Sequence, residues 1–211
     1  MTFSFYVYSA QEHGLDLNSC RPKHLLLSKQ ISMEIKFITQ PHSEQLGEIL
    51  FEKITRKPRI NSLTIVSAFS SLKTIFRFKE IVDMKQCEMR FVLGIDLGGT
   101  SKQVLAEIAS WPAEVFIFKN SNPSVTFHPK IYLIEKKNST FLAIGSHNCT
   151  DGGLFNNYEC STFFTYKLPE DQKDLESAKQ SLSYFLDPQE PMAKKLDSQY
   201  LEYLKSRSKL H

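Results

Sequence analysis

Three short apolar runs, separated by stretches with helical spacing, most constrain the fold of this chain. They span residues 63 to 69, 89 to 94 and 115 to 118. Each run is nearly continuous rather than alternating, which is typical of a strand covered on both faces. Residues 72 to 82 and 102 to 110 carry helical spacing between them. Strands joined by helices imply crossover connections, so the sequence predicts an α/β fold with a mixed, largely parallel sheet flanked by helices.

Strand and helix patterns continue on both sides of this central region. Apolar residues at positions 35 to 38 suggest a strand, and those between positions 46 and 54 mark one face of an amphipathic helix. Further along, the pattern changes to three strands without intervening helices, at residues 125 to 135, 140 to 146 and 158 to 166. The polar sequence Lys-Lys-Asn-Ser between the first two of these strands is typical of a hairpin turn.

The chain of 211 residues is long enough for one complete hydrophobic core, so we expect one main domain. Residues 3 to 8 alternate like a strand and residues 12 to 29 show no sustained period, so residues 1 to 32 are interpreted as an N-terminal extension of unclear structure. Regular patterning from Met33 onward places the main domain at residues 33 to 186. Residues 187 to 211 are interpreted as a helical, basic C-terminal tail. The helical composition begins before this tail, with one apolar face made of Leu175, Ala178, Leu182 and Phe185.

The charge balance is only mildly basic. The net charge is +3 and the sequence pI is about 8.6, which is below what a protein that wraps nucleic acid usually shows. A nucleic-acid interpretation therefore depends on lysines placed close to a site, because phosphate contacts act at short range in physiological salt. Lys119, Lys136 and Lys137 are the candidates for such a path, although lysine on a hairpin is more often a solvated edge.

The cysteines and the apolar runs exclude several classes of protein. Cys20, Cys87, Cys149 and Cys160 have no metal-ligand spacing, so we expect reduced thiols and no structural zinc site. Cys149 and Cys160 are expected to pack as small apolar groups. No apolar run approaches the ~18 to 20 residues that a membrane span requires. A cytoplasmic protein without a membrane span is expected.

Two neighbouring predicted strands hold an unusual concentration of polar and reactive side chains. His128 and Lys130 lie two residues apart on the first strand, and Ser146 and Asn148 lie two residues apart at the end of the second. Residues two apart on a strand share a face, so each pair projects to one side. An imidazole can act as a nucleophile or proton carrier, while an ammonium, a hydroxyl and an amide can hold a phosphate without a metal.

The order and spacing of these residues resemble the phospholipase D superfamily. His128-x-Lys130, Gly145-Ser146-x-Asn148 and the trailing Glu159 look like its HxK, GSxN and glutamate elements. Glu135 stands where the family usually has aspartate, which puts the structural role of that carboxylate in question. A narrower resemblance, over residues 60 to 165, is to the nuclease domain of the BfiI and NgoFVII restriction endonucleases.

The resemblance implies a role for each of these side chains. His128 would be the nucleophile that forms a phosphohistidine intermediate. Lys130, Ser146 and Asn148 would bind the non-bridging phosphate oxygens, and Glu159 would orient and charge His128. The chemistry would need no metal and no other cofactor. It would need a second group to protonate the leaving oxygen, and a second imidazole suits that task.

The sequence contains one copy of the motif. A complete site would therefore take His128 from each of two chains, and we expect a symmetric homodimer with a shared active site on its axis.

Other residues near the motif have simpler explanations. His147 alternates to the opposite face and is interpreted as packed or solvated. Residues 98 to 101 are interpreted as an ordinary helix N-cap, and Thr150 with residues 152 to 153 as a turn.

Several functions remain compatible with this motif. The leading interpretation is a metal-independent endonuclease for nucleic acid, with DNA as the favoured substrate, acting in restriction or defence. The first rival is a phospholipid phosphodiesterase or phosphatidyltransferase, and the second is a non-catalytic DNA-associated subunit. About 45 residues follow Tyr166, too few for a separate recognition domain, so a helicase or methyltransferase partner could supply targeting. The sequence does not distinguish single-stranded from double-stranded DNA or from RNA.

Overall fold

The structure, a computed structural model, describes residues 33 to 206 apart from residues 121, 123, 190 and 192. The predicted N-terminal extension and the end of the basic tail lie outside the described residues. Within them, eight strands form one sheet: β1 (Glu34–Gln40), β2 (Ile60–Ser67), β3 (Glu88–Gly94), β4 (Ala113–Phe118), β5 (Lys130–Lys136), β6 (Ser139–Gly145), β7 (Glu159–Lys167) and β8 (Ala193–Lys195). The helices are α1 (Leu46–Thr55), α2 (Leu72–Ile81), α3 (Lys102–Ala109), α4 (Gln172–Ser181), α5 (Ser183–Leu186) and α6 (Ser198–Ser206).

The strands lie in the order β1-β7-β6-β5-β2-β3-β4-β8. The predicted mixed α/β sheet is confirmed, but the expectation that it would be largely parallel is wrong. Only β2–β3 and β3–β4 are parallel among the described strands, and the other neighbouring pairs are antiparallel. Helical crossovers connect the parallel strands, whereas the β5–β6 hairpin and the short β6–β7 connection produce antiparallel pairs.

The sheet carries a hydrophobic core on each face because its strands alternate. In β2, Leu63 and Ile65 pack into one core, and Val66 packs into the other. The first core includes the apolar faces of α1, α2, α3 and α6, and the second includes those of α4 and α5. Coverage on both faces explains why the central strands are nearly continuous apolar runs.

The predicted elements are confirmed, with shifted ends where the motif lies. The hairpin turn comes between Lys136 and Ser139, as predicted. β5 begins only at Lys130, because Pro129 has no N–H to give to a strand ladder and ends the pairing there. β6 ends at Gly145. His128 therefore lies just before a strand and Ser146 just after one, rather than within strands.

The C-terminal segment differs from the predicted helical tail. The apolar face of α4 packs against the sheet as expected. Ala193–Lys195, however, form the edge strand β8, which pairs with β4 through Ala193 opposite Phe118. A three-residue strand with two lysines shows no alternation of its own, so only the exposed edge of β4 specifies it. In α6, Leu204 is fully buried in the first core, so this segment adds to the main sheet and core.

Candidate active site

The residue pair at the start of β5 is the centre of the candidate site. The His128 side chain is exposed, and its Nδ1 lies 2.6 Å from Nζ of Lys130. Lys130 Nζ also donates a hydrogen bond to the His128 carbonyl at 2.8 Å. The predicted placement of both side chains on one side is thus observed, although only Lys130 belongs to the strand. Nε2 of His128 has no hydrogen-bond partner among the described residues and is free to meet a ligand.

Lys130 is buried although it carries an ammonium group, since it is only 3% exposed. Burial lowers the pKa of Lys130 below its usual value, and the negative charge of Glu159 acts in the opposite direction. A buried ammonium that bonds only one imidazole and one carbonyl keeps donor capacity for an anion. Lys130 is therefore placed to receive a phosphate beside His128.

The next two strands bring a hydroxyl and a carboxylate to the same edge of the sheet. Ser146 Oγ donates a hydrogen bond to Glu159, the first residue of β7. The same oxygen accepts a hydrogen bond from the Cys160 N–H at 3.0 Å. Glu159 also accepts from Asn157 Nδ2 at 3.4 Å, and in the described structure it makes no hydrogen bond to His128. The structure therefore joins Glu159 to Ser146, and its predicted action on His128 stays a prediction.

Asn148 lies beyond Ser146 in the loop after β6. Its side chain is half-buried, and Oδ1 is buried without a hydrogen-bond partner among the described residues. The loop is held by the N–H of Thr150, which donates to the Asn148 carbonyl at 2.8 Å, and by the N–H of Gly153, which donates to Thr150 Oγ1 at 2.9 Å. A Cβ on Gly153 would lie 2.4 Å from the Asn148 carbonyl oxygen, so glycine is required for this close approach.

His147 supports the loop between these two polar residues. It is fully buried, so of the two expected placements, packed or solvated, the first is observed, and its Nδ1 shares a 2.5 Å hydrogen bond with Ser161 Oγ of β7. Its carbonyl accepts a hydrogen bond from the Tyr132 hydroxyl of β5 at 3.0 Å. Burial lowers the pKa of His147, which favours the neutral ring, and Glu159 acts in the opposite direction. His147 thereby ties β5, β6 and β7 together under the site.

Two further residues position the segment that carries His128. Asp96, which follows β3, accepts hydrogen bonds from the N–H groups of Asn120 and Phe127 at 3.2 and 3.4 Å. These two residues lie at either end of the segment between β4 and His128. The ring of Phe69 meets the His128 imidazole edge-on at 6.1 Å between centroids. Sequence reasoning missed both, although Asp96 lies two residues beyond the carboxyl end of the buried parallel strand β3, a usual place for functional polar groups.

Solved structures resemble this chain in fold, whereas no family model matches the sequence and no curated protein matches it significantly. NucT from Helicobacter pylori superposes with a TM-score of 0.56 at 18% identity, over 78% of this chain and 99% of its own. Nuc from Salmonella typhimurium, described as a phospholipase D family member, superposes with a TM-score of 0.50 at 14% identity, over 79% of this chain and 99% of its own. The chain has the phospholipase D fold.

The phospholipase D fold does not by itself decide the substrate. Phosphatidylserine synthase from Haemophilus influenzae Rd KW20 shares it, with a TM-score of 0.53 at 10% identity, over 82% of this chain and 45% of that protein. The predicted fold is confirmed by these structures. The narrower resemblance to restriction endonucleases and the role of each motif residue stay predictions, to be argued from the site.

Glu135 lies away from the other motif residues in this phospholipase D fold. It is five residues from Lys130 along β5, roughly 16 Å at the rise of a strand. Its carboxylate accepts hydrogen bonds from Ser62 Oγ of β2 at 2.7 Å and from Lys179 Nζ of α4 at 2.8 Å. The contacts indicate that Glu135 fastens α4 to the sheet.

Replacing Glu135 with glutamine is expected to lower stability by about 1 kcal/mol, because the ion pair with Lys179 is partly exposed. The rate of any reaction at His128 should stay within about twofold of the original, since the carboxylate is remote from the site. Urea unfolding and initial rates measure the two effects. Lys179→Met should destabilise similarly, and the double variant should lose less than the sum. Loss of activity without loss of stability would contradict the structural role.

The structure also tests the predictions for the helix N-cap and for two of the cysteines. Ser101 caps α3 by accepting a hydrogen bond from the Val104 N–H at 3.3 Å, so the N-cap prediction is confirmed. Cys149 is buried, and burial raises the pKa of its thiol to about 12, whereas Cys160 is exposed and the prediction that it packs as an apolar group is wrong. Cys160 alternates with the buried Ser161 on β7, which turns its side chain outward.

The three candidate lysines differ in burial and in their position relative to His128. Lys136 is 5% exposed and donates a hydrogen bond to the Arg56 carbonyl, so it is neither a candidate for a DNA path nor a solvated edge. Lys137 is exposed in the hairpin turn, at the opposite end of β5 from His128. Lys119 is exposed and lies on the side of His128, in the same cleft. Of these three lysines, Lys119 alone lines the cleft that His128 also lines.

No group of three or more His, Cys, Asp or Glu side chains within the described residues has the arrangement to hold a metal ion. None of the helices in the described ranges has the length and apolar character to cross a membrane.

Proposed function

We propose that this chain hydrolyses phosphodiester bonds of nucleic acid, with DNA as the favoured substrate, through a phosphohistidine intermediate on His128. The observation that carries this proposal is the exposed His128 imidazole bonded to the buried Lys130 ammonium, at the edge where Ser146 and Glu159 meet. A nucleophile beside a fixed cation is the arrangement that attack on an anionic phosphodiester requires. The phospholipase D fold supports the same chemistry.

In the first step, Nε2 of His128 attacks phosphorus, an N–P bond forms and the bond from phosphorus to the leaving ester oxygen breaks. A second imidazole gives its proton to that oxygen. Water then attacks the phosphohistidine, the N–P bond breaks, and the proton of the water returns to the second imidazole. Lys130, with Ser146 and Asn148, holds the non-bridging oxygens on which negative charge is concentrated.

The hydrogen bond between His128 and Lys130 has a consequence for this step. A charged Lys130 donates to Nδ1, which places the ring proton on Nε2, whereas attack requires a lone pair on Nε2. Lys130 must therefore turn from Nδ1 towards the phosphate when substrate binds. Nδ1 then carries the ring proton, and the Glu159 carboxylate is proposed to accept a hydrogen bond from it and to favour the charged ring.

The second imidazole is proposed to be His128 of a second copy of the chain. Of the other histidines in the described structure, His147 is fully buried. His42 contacts Tyr158 beside β1, and β7 and β6 separate that edge from β5. A two-fold homodimer that brings together the amino-terminal end of β5 in each chain would place one His128 on each side of the phosphate.

A role in restriction or defence belongs to the same proposal. The described chain is one sheet with its helices and offers no separate domain for reading a DNA sequence. Targeting would then come from a partner such as a helicase or methyltransferase. Phosphatidyl transfer is the second candidate, because phosphatidylserine synthase shares the fold at a TM-score of 0.53.

The experiment incubates the pure chain in EDTA with single-stranded DNA, double-stranded DNA, RNA and phosphatidylserine vesicles. Cleavage of a nucleic acid in EDTA is the expected result. A strict requirement for added Mg²⁺ would contradict the mechanism, and turnover of the lipid alone would favour phosphatidyl transfer. A chain that cleaves none of the four would support a non-catalytic role.

A further inference from the structure

A cleft of about 420 Å³ opens beside His128, and Ser146 does not line it. Its walls come from the end of β4, the segment that leads to β5, and α5. His128 and Pro129 line it together with aromatic rings from the second core. Its volume lies within the roughly 300 to 1,000 Å³ that small-molecule sites occupy. A ligand in the cleft would touch the residue proposed as the nucleophile.

Stacked aromatic rings form the floor of this cleft. Phe118 and Phe127 lie parallel, with centroids 4.2 Å apart, and both are nearly buried. Tyr184 continues the cluster, with its ring 6.2 Å from that of Phe118 and 5.1 Å from that of Phe185. Tyr184 is 49% exposed and lines the cleft. The cluster therefore presents one exposed aromatic residue in the cleft that His128 also lines.

Contacts to the sheet hold the α5 wall in position. Arg90 of β3 donates a hydrogen bond to the Leu186 carbonyl at 3.0 Å and another to Asp187 at 3.2 Å. The same guanidinium bonds Glu114 of β4 at 2.7 Å. Tyr184 belongs to α5, whose end these hydrogen bonds attach to the sheet. The cleft wall is therefore formed before a ligand binds.

Polar side chains also line the cleft. Lys119, Asn120 and Thr126 line the cleft, and the Lys119 ammonium is exposed beside it. Aromatic rings with neighbouring amide and hydroxyl groups suit a flat heterocycle that has a polar edge. A lipid chain would leave those polar groups facing hydrocarbon, which is unfavourable.

We propose that this cleft binds one unpaired nucleobase of the strand whose phosphate lies at His128, with the base stacked on Tyr184 and the next phosphate near Lys119. The inference rests on the proposed function and adds the substrate class, single-stranded nucleic acid. A base within a duplex has both faces covered by its neighbours, so it cannot lay a face on Tyr184 unless the duplex opens. The site thereby prefers single strands or unpaired ends.

The test compares Tyr184→Ala with the unchanged chain on three probes of equal length: oligo(dT), an oligonucleotide backbone of abasic residues, and a duplex. Dissociation constants are measured with His128→Ala in both proteins, so that no probe is cut. Losing the stacked ring should weaken oligo(dT) binding about tenfold and leave the abasic and duplex constants unchanged. Tyr184→Phe should bind like the original. With His128 present, KM for oligo(dT) should rise about tenfold.

Tyr203→Ala is the matched control, because Tyr203 is a similarly exposed tyrosine, 44% accessible, on α6 and outside the cleft. Equal weakening of oligo(dT) and abasic binding, or no weakening, overturns the inference. Binding to phosphatidylserine vesicles that depends on Tyr184 also overturns it. The binding measurements decide the question even if the chain cuts nothing, so failure of the proposed function is seen separately in the EDTA assay.

Discussion

Replacing His128 with alanine is expected to abolish phosphodiester hydrolysis, with a loss of about 10⁴-fold or more, because the proposed covalent intermediate forms on its imidazole. The rate is measured on labelled oligonucleotide in EDTA. The unchanged chain, quenched during turnover, should carry substrate phosphate in a bond that acid breaks and alkali preserves, as expected for phosphohistidine. The variant should carry none.

His42→Ala serves as the control for this experiment, since His42 is also an exposed imidazole at the strand ends but contacts Tyr158 at the β1 edge. It should retain activity and the labelled intermediate. If His128→Ala kept more than a few per cent of the rate while remaining folded, His128 could not be the nucleophile. Because the His128 side chain is exposed, its truncation should leave the unfolding midpoint nearly unchanged.

Mixing subunits is expected to show that each site needs two chains. When unchanged chains are refolded with a twentyfold excess of His128→Ala, nearly every unchanged chain should pair with a variant. A shared site then lacks one imidazole, and activity per unchanged chain should fall by about twentyfold. The measurement is the rate of oligonucleotide cleavage in EDTA, divided by the amount of unchanged chain.

The same two proteins, folded separately and combined just before the assay, control for competition between variant and unchanged chain for substrate. Their activity should stay near that of the unchanged chain alone. If the refolded mixture loses no activity, each chain contains a complete site, and the shared-site homodimer is excluded. The mass of the refolded particle, measured by light scattering, shows whether pairing occurred.

Much of the fold could be predicted from local pattern. The apolar runs of β2 and β3 identify strands buried on both faces, and the helices between them follow from the spacing of their apolar residues. The edge strand β8 could not be predicted in this way. Its pairing depends on the free edge of β4, which local periodicity does not contain.

The candidate site, too, could be predicted only in part from the sequence. The sequence motif identifies His128, Lys130, Ser146 and Glu159. In the structure, His128 contacts Lys130 and Ser146 contacts Glu159, at the same edge of the sheet. The motif did not indicate that Glu135 would bond Lys179 in α4. A motif records which side chains occur in what order, whereas the partner of a carboxylate depends on which helix packs over its strand.

By itself, the sequence determined the kinds of elements, the two-faced core and the chemistry available at His128 and Lys130. Only the tertiary structure decided the strand order β7-β6-β5, which sets Glu159 beside Ser146, the burial of Lys136, and the cleft that Tyr184 borders. The physical reason is the distance along the sequence between the residues that interact. Helical and strand spacing follow from interactions within a few residues, whereas strand order and side-chain burial depend on the packing of segments far apart in the chain.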